Sequence, residues 1–225
     1  MNLLNIIKKD LQDLSIAWKA WLFVGLSSVL VVNFCGFTGF TWQSIVGLLA
    51  GLSGVTYVLF TAHDKQSAMI FGVVMVVLYG ITAFINKVYG DAMQNLLYQF
   101  PILICGFLSF GKSSDKDLLS IFKKINAKIS ILLWACLVAS YAFFLHSIGD
   151  IRPLLDSFTT VTSMFGVVLL AMRSKYQWYL WIAVNGVSSY MWYSIGGLSV
   201  MSIMWMFYLI NSFVGFYVNV VKGGR

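Results

Sequence analysis

Charge is what this chain has least of: Asp, Glu, Lys and Arg make up 10% of its 225 residues, against roughly a quarter in soluble domains. With 60% of residues hydrophobic and a mean hydropathy of +0.84, this excludes a soluble globular class and leaves an integral membrane protein. Glutamate is absent, and the aspartates at 10, 13, 64, 91, 115, 117, 150 and 156 all lie in connections or at the ends of apolar runs. No carboxylate therefore stands mid-run, where a proton or sodium relay would place one. The two histidines, His63 and His146, sit on separate connections expected to face opposite sides of the membrane; with no HExxH pattern they offer no metal site, and an enzyme is not expected. Cys35, Cys105 and Cys136 lie in three different runs without CxxC spacing, which points to core packing rather than disulfides, metals or cofactors. Neither a glycine-rich phosphate loop nor a basic residue within an apolar run is present to hold phosphate. Of the 2 prolines, Pro153 opens a run at little cost, whereas Pro101 lies inside one, where it removes a backbone hydrogen bond and kinks the helix.

What is there is a series of apolar runs near residues 21–37, 43–61, 68–86, 92–110, 129–145, 157–172, 177–195 and 199–221. Each approaches the roughly 17–25 residues of a spanning helix, so eight transmembrane helices are expected, in an all-α fold. Residues 1–20 carry Lys8, Lys9, Asp10, Asp13 and Lys19 among apolar residues at helical spacing, the pattern of an amphipathic segment on the membrane surface rather than a signal peptide. With eight spans and a cytoplasmic N-terminus, every Lys and Arg except Lys87 and Arg152 falls on the cytoplasmic side. The positive-inside rule thus places both termini in the cytoplasm. The formal charge of +7 follows from this topology and from anionic lipid, with no need of nucleic acid.

One long basic connection, GKSSDKDLLSIFKKINAK at 111–128, divides the chain. Before it stand three helices (43–110) and after the linker helix that ends it (111–146) stand three more (154–221), while 21–37 forms an extra leading span. Both triplets run as helix, short basic turn, helix, tight glycine turn (Tyr89-Gly90; Gly196-Gly197), helix. A single intervening helix gives the two triplets the same orientation, which makes them parallel repeats, as in transporters that hold substrate between repeats near the midplane.

The segment QWYLWIAVNGVSSYMWY, residues 177–193, carries the most specific chemistry. On a helix, Trp178, Trp181, Asn185 and Trp192 fall within a stripe about 60° wide, with Asn185 roughly 10 Å deeper than Trp178. An amide at that depth needs a partner in protein or ligand. Trp178 and Trp192 lie near opposite helix ends, where aromatic membrane belts are the competing explanation.

Trp178-x-x-Trp181-x-x-x-Asn185, with FGVVMVVLYGITAFINKVYGDAMQNLLYQF at 71–100, resembles the signature of the PnuC family of vitamin transporters over roughly residues 43–221. The residues carrying the resemblance are Gly72, Leu78, Tyr79, Tyr89, Gly90, Asp91, Asn95, Tyr98 and Gly106, and, in the second half, Trp178, Trp181, Asn185 and Gly215. The resemblance implies a carrier of nicotinamide riboside in a bacterial cytoplasmic (inner) membrane, built as three plus one plus three helices like the SWEET proteins, forming a homotrimer. It also implies facilitated diffusion, with a cytoplasmic kinase trapping the substrate. Gln177 stands where the family often has an acidic residue, and the leading helix lies outside the family's core. A flat cationic ring suits tryptophan faces, and an amide and a ribose suit neutral polar side chains. Further candidates are Asn95, Tyr98 and Gln99 on the fourth helix and Tyr208 and Asn211 on the eighth, each of which could instead simply join helices by hydrogen bonding. Pro101, close to Gln99, resembles the proline and glutamine hinge of SWEET-like bundles and is the expected hinge for alternating access. Thiamin or riboflavin as substrate, and a non-transporting membrane scaffold, are the alternatives.

Overall fold

In a bilayer the backbone of an apolar run must satisfy its own polar groups, which leaves the helix as the local solution. The computed structural model, which describes residues 3–36, 41–63, 65–108, 127–171 and 174–221, has helices at each expected run. They are α1 (Leu3–Gln12), α2 (Ile16–Cys35), α3 (Trp42–Ala62), α4 (Ser67–Ile85), α5 (Tyr89–Met93), a π-helical segment (Gln94–Gln99), α6 (Phe100–Leu108), α7 (Ala127–Ser147), α8 (Pro153–Ala171), α9 (Gln177–Gly196), and α10 (Val200–Phe216) with a π-helical end (Tyr217–Val221). Most of the basic connection expected at 111–128 lies outside the described residues.

By length and composition α2, α3, α4 and Ser130–Ser147 of α7 are apolar enough to cross a membrane. The expected count of eight is not reached by this measure among the described residues. The fourth run is broken by its π segment, α9 carries amide, hydroxyl and aromatic side chains along its length, and the α-helical part of α10 is 17 residues long.

Short turns make successive helices antiparallel neighbours: α3 lies on α4, α7 on α8, α8 on α9, and α9 on α10. The halves then cross-contact, α3 on α10 and α5 on α8. One core cluster joins Tyr79, Val76 and Met75 of α4 to Met191, Trp192, Met204 and Tyr208 of α9 and α10; a second joins α2 to α3 and Phe207. The two glycine turns solve different problems. Gly197 ends α9 at φ +62, a conformation few side chains tolerate. Gly90 has an ordinary backbone, but a Cβ there would lie 2.7 Å from the carboxylate of Asp156.

Aspartates cluster at that end of the bundle. Fully buried Asp156 accepts the backbone N–H groups of Gly90 (2.6 Å) and Asp91 (2.7 Å), and Asp150 accepts that of Tyr89 (2.6 Å), so carboxylates from the second half hold the start of α5. At the other end α1 docks on the α3–α4 turn: Asp10 accepts Ser67 N–H (2.8 Å) and Asp13 pairs with Lys65 (3.2 Å). The cysteines, expected in the core, are exposed on the outer faces of their helices, where a small apolar side chain is at home against lipid.

Candidate functional site

Between the two halves lies a cavity of about 100 Å³. It reaches from Thr61 and Ala62 at the end of α3, and Gln177 at the start of α9, to Tyr79 and Trp205 deeper in the bundle. Among the described residues, none of its lining side chains is acidic or basic.

The α9 stripe forms one wall. Trp178 and Trp181 both line the cavity, and each ring rests on a glycine of another helix: a Cβ on Gly215 of α10 would lie 2.1 Å from the Trp178 ring, and one on Gly166 of α8 would lie 3.2 Å from that of Trp181. The missing side chains are what let two indoles lie flat between helices. Asn185 is buried one turn further in, donating from Nδ2 to Ser212 Oγ (2.7 Å), while its Oδ1 has no partner. Trp192, whose position near a helix end also suited a membrane belt, is instead 3% exposed and donates to the Tyr79 hydroxyl (2.7 Å).

From α10, Tyr208 and Asn211 both face the cavity. The Tyr208 hydroxyl is buried and unpartnered, in a space kept open by Gly54, where a Cβ would lie 2.8 Å from it. Asn211 donates to the Phe207 carbonyl (2.7 Å) and accepts from the Trp21 indole of α2 (3.4 Å).

Asn95 and Gln99 line the opposite wall, but Tyr98 does not join them. It faces a second hollow with Leu137 and Tyr141 of α7 and Phe165 of α8, its hydroxyl donating to the Met164 carbonyl (3.4 Å). The π segment is the reason: with i→i+5 hydrogen bonding, residues five apart come into register, so Gln94 joins Gln99 on the cavity side and Tyr98 turns to the flank. Pro101 follows after one intervening residue, Phe100, so the irregular backbone precedes the residue that lacks an N–H.

Sequence reasoning did not nominate Gln94, Tyr57, Tyr79, Trp205 or Ser212, all of which line the cavity. Trp205 and Ser212 were reachable by extending the Tyr208 face by three and four residues. Tyr57 has no flanking signal, being one tyrosine in an apolar helix. Gln177, a noted departure from the family pattern, is buried in the lining with its Oε1 unpartnered.

Comparison with known proteins places this arrangement. The model of the family described as nicotinamide mononucleotide transporter matches residues 44–219. Two similar proteins carry the name nicotinamide riboside transporter PnuC. The one from Neisseria mucosa is 31% identical over 238 aligned residues, covering 96% of this chain and 90% of that protein. The one from Haemophilus influenzae is 24% identical over 213, covering 92% of each. A crystal structure described as the vitamin B3 transporter PnuC superposes with a TM-score of 0.72 at 25% identity, covering 96% of this chain and 97% of that one. The chain belongs to the nicotinamide mononucleotide transporter family and is a multi-pass membrane transporter, not an enzyme.

Proposed function

We propose that the protein carries nicotinamide riboside, and that the phosphate-free riboside rather than its mononucleotide is the substrate. The observation that carries this is a cavity without a charged lining residue among the described residues, holding three buried, unpartnered oxygens: Gln177 Oε1, Asn185 Oδ1 and Tyr208 Oη. Two of these are amide carbonyls, which only accept hydrogen bonds. They match the amide and hydroxyl protons of the riboside, whereas a phosphate brings negative charge and more acceptors to a site with no Lys or Arg. The Trp178 and Trp181 faces suit the pyridinium ring, a cation–π contact contributing about 0.5–2 kcal/mol.

Transport is uncoupled facilitated diffusion, with trapping by a cytoplasmic kinase. The absence of an acidic side chain from the described residues of the cavity lining supports this. The charge distribution supports eight spans with both termini in the cytoplasm, and likeness to the family supports the bacterial inner membrane. The reciprocal contacts, α3 on α10 and α5 on α8, support a SWEET-like core of two parallel repeats (43–110 and 154–221) around a linker (111–146). The remaining residues are the amphipathic segment (1–20) and the extra span (21–37). The chain works as a homotrimer, by its likeness to the family.

The test is titration of purified protein followed by tryptophan fluorescence. Nicotinamide riboside quenches, the mononucleotide does not, and Trp181→Ala or Asn185→Ala weakens the response at least tenfold. Preference for thiamin or riboflavin would reassign the substrate, and no saturable binding of any vitamin would leave a scaffold. Accumulation of unphosphorylated riboside in vesicles under a proton or sodium gradient would overturn uncoupled transport.

A further inference from the structure

The helix α2 precedes the family-matched region, which begins at residue 44, yet it reaches the cavity wall. Its Trp21 stacks on Phe207 of α10 (ring centroids 4.9 Å apart, planes at 17°) and donates its indole N–H to Asn211 Oδ1 at 3.4 Å. The approach is close because α2 carries Gly25, where a Cβ would fall 2.6 Å from the Phe207 ring.

This contact fixes which way the Asn211 amide faces. Its oxygen is held by Trp21 and one of its two N–H bonds by the Phe207 carbonyl (2.7 Å), so the N–H that remains is the group Asn211 can offer to the cavity it lines. Asn211 is thus a donor among acceptors, set against the carbonyl oxygens of Gln177 and Asn185. A ligand that places acceptors and donors at different ends, as a carboxamide or a ribose does, is read by this arrangement. We propose that Trp21 is a positioning residue for substrate binding: the leading helix orients Asn211 as a hydrogen-bond donor without touching the substrate. This rests on the nicotinamide riboside reading above for its ligand, but not for the Trp21–Asn211 pairing.

The test compares the full-length protein with Trp21→Phe, which keeps a ring on Phe207 and removes only the N–H, by calorimetric titration of nicotinamide riboside and by thermal melting. Trp21→Phe should bind about fivefold more weakly, the contribution of one neutral hydrogen bond, with its melting midpoint lowered by no more than a few degrees for the one buried oxygen left without its donor. Trp21→His, which restores a ring N–H, should recover most of the loss. On an Asn211→Ala background, Trp21→Phe should cost nothing further, because the two act as one unit. Wild-type affinity in Trp21→Phe, or an undiminished loss on the Asn211→Ala background, would overturn the proposal. Where Trp21→Phe does not fold, the indole ¹⁵N–¹H resonance of Trp21 decides: it should shift on Asn211→Ala, and a stationary resonance overturns the pairing. If the wild type binds thiamin or riboflavin instead, the substrate reading falls while the same variants decide the role of Trp21 with that vitamin. If it binds none of the three, the resonance alone decides the pairing.

Discussion

Tyr79 and Trp192 meet across the two halves of the chain, the indole of α9 donating to the phenol oxygen of α4 over 2.7 Å with the rings 5.7 Å apart. Trp205 of α10 donates to the same oxygen at 3.1 Å, and the phenol donates its own proton to Asp91. One buried hydroxyl thereby ties three helices and a carboxylate together deep in the cavity, on the side away from α1.

Tyr79→Phe removes that oxygen and nothing else, leaving two indole N–H groups and a buried carboxylate each short of a partner. At about 1–3 kcal/mol for each buried group left unsatisfied, the variant should lose at least about 2 kcal/mol. Its melting midpoint in detergent should fall by several degrees, at roughly 2–4 °C per kcal/mol. An unchanged midpoint would mean that the network is not formed.

The glycine beneath Trp178 gives a sharper test of the site. Gly215→Ala places a methyl 2.1 Å from the indole and must push it into the cavity, whereas Gly186→Ala on α9 meets nothing closer than 3.9 Å. Riboside binding should weaken about tenfold or more in the first and stay at the wild-type level in the second. Equal affinities in a titration series would show that Trp178 is free to move aside.

Asp156 is fully buried and accepts two backbone N–H groups at the start of α5 together with the Thr160 hydroxyl (3.3 Å). Asp156→Ala leaves all three donors unsatisfied and should destabilise the protein by about 3 kcal/mol or more. Asp156→Asn keeps one acceptor oxygen and should be milder. The order of the two melting midpoints checks this; an Asp156→Ala midpoint at or above that of Asp156→Asn would show that the accepted hydrogen bonds do not carry the stability.

Pro101 adjoins the π segment that carries Gln94, Asn95 and Gln99. If the helix bends there between the two facing states, Pro101→Ala should bind riboside normally and take it up several-fold more slowly into vesicles. Normal binding together with normal uptake would remove the hinge.

Much of this was legible from spacing alone. Trp178, Trp181 and Asn185 needed only the helical period to fall on one face, and the Tyr208 and Asn211 pair followed the same rule on α10. Tyr98 failed it because the rule assumes α geometry, and no residue in 94–99 announces that the backbone there winds more widely. The aspartates were read as lying in connections or at helix ends, and those among the described residues do. That two of them, Asp150 and Asp156, gather around the amides of Tyr89, Gly90 and Asp91 depends on the approach of α8 to α5, a contact between residues more than sixty positions apart.

By itself the sequence determined the quantities that are local. Scarce charge and long apolar runs require helices in lipid, the placement of lysines and arginines gives their expected orientation, and an eight-residue motif puts two indoles and an amide on one stripe. Only the tertiary structure decided what those groups meet: glycines under the tryptophans, a serine for one side of Asn185 and nothing for the other, and an indole from the leading helix behind Asn211. The reason is that periodicity states which way a side chain points along its own helix. The partner it finds, or lacks, is set by how two separately folded rods come to lie against each other.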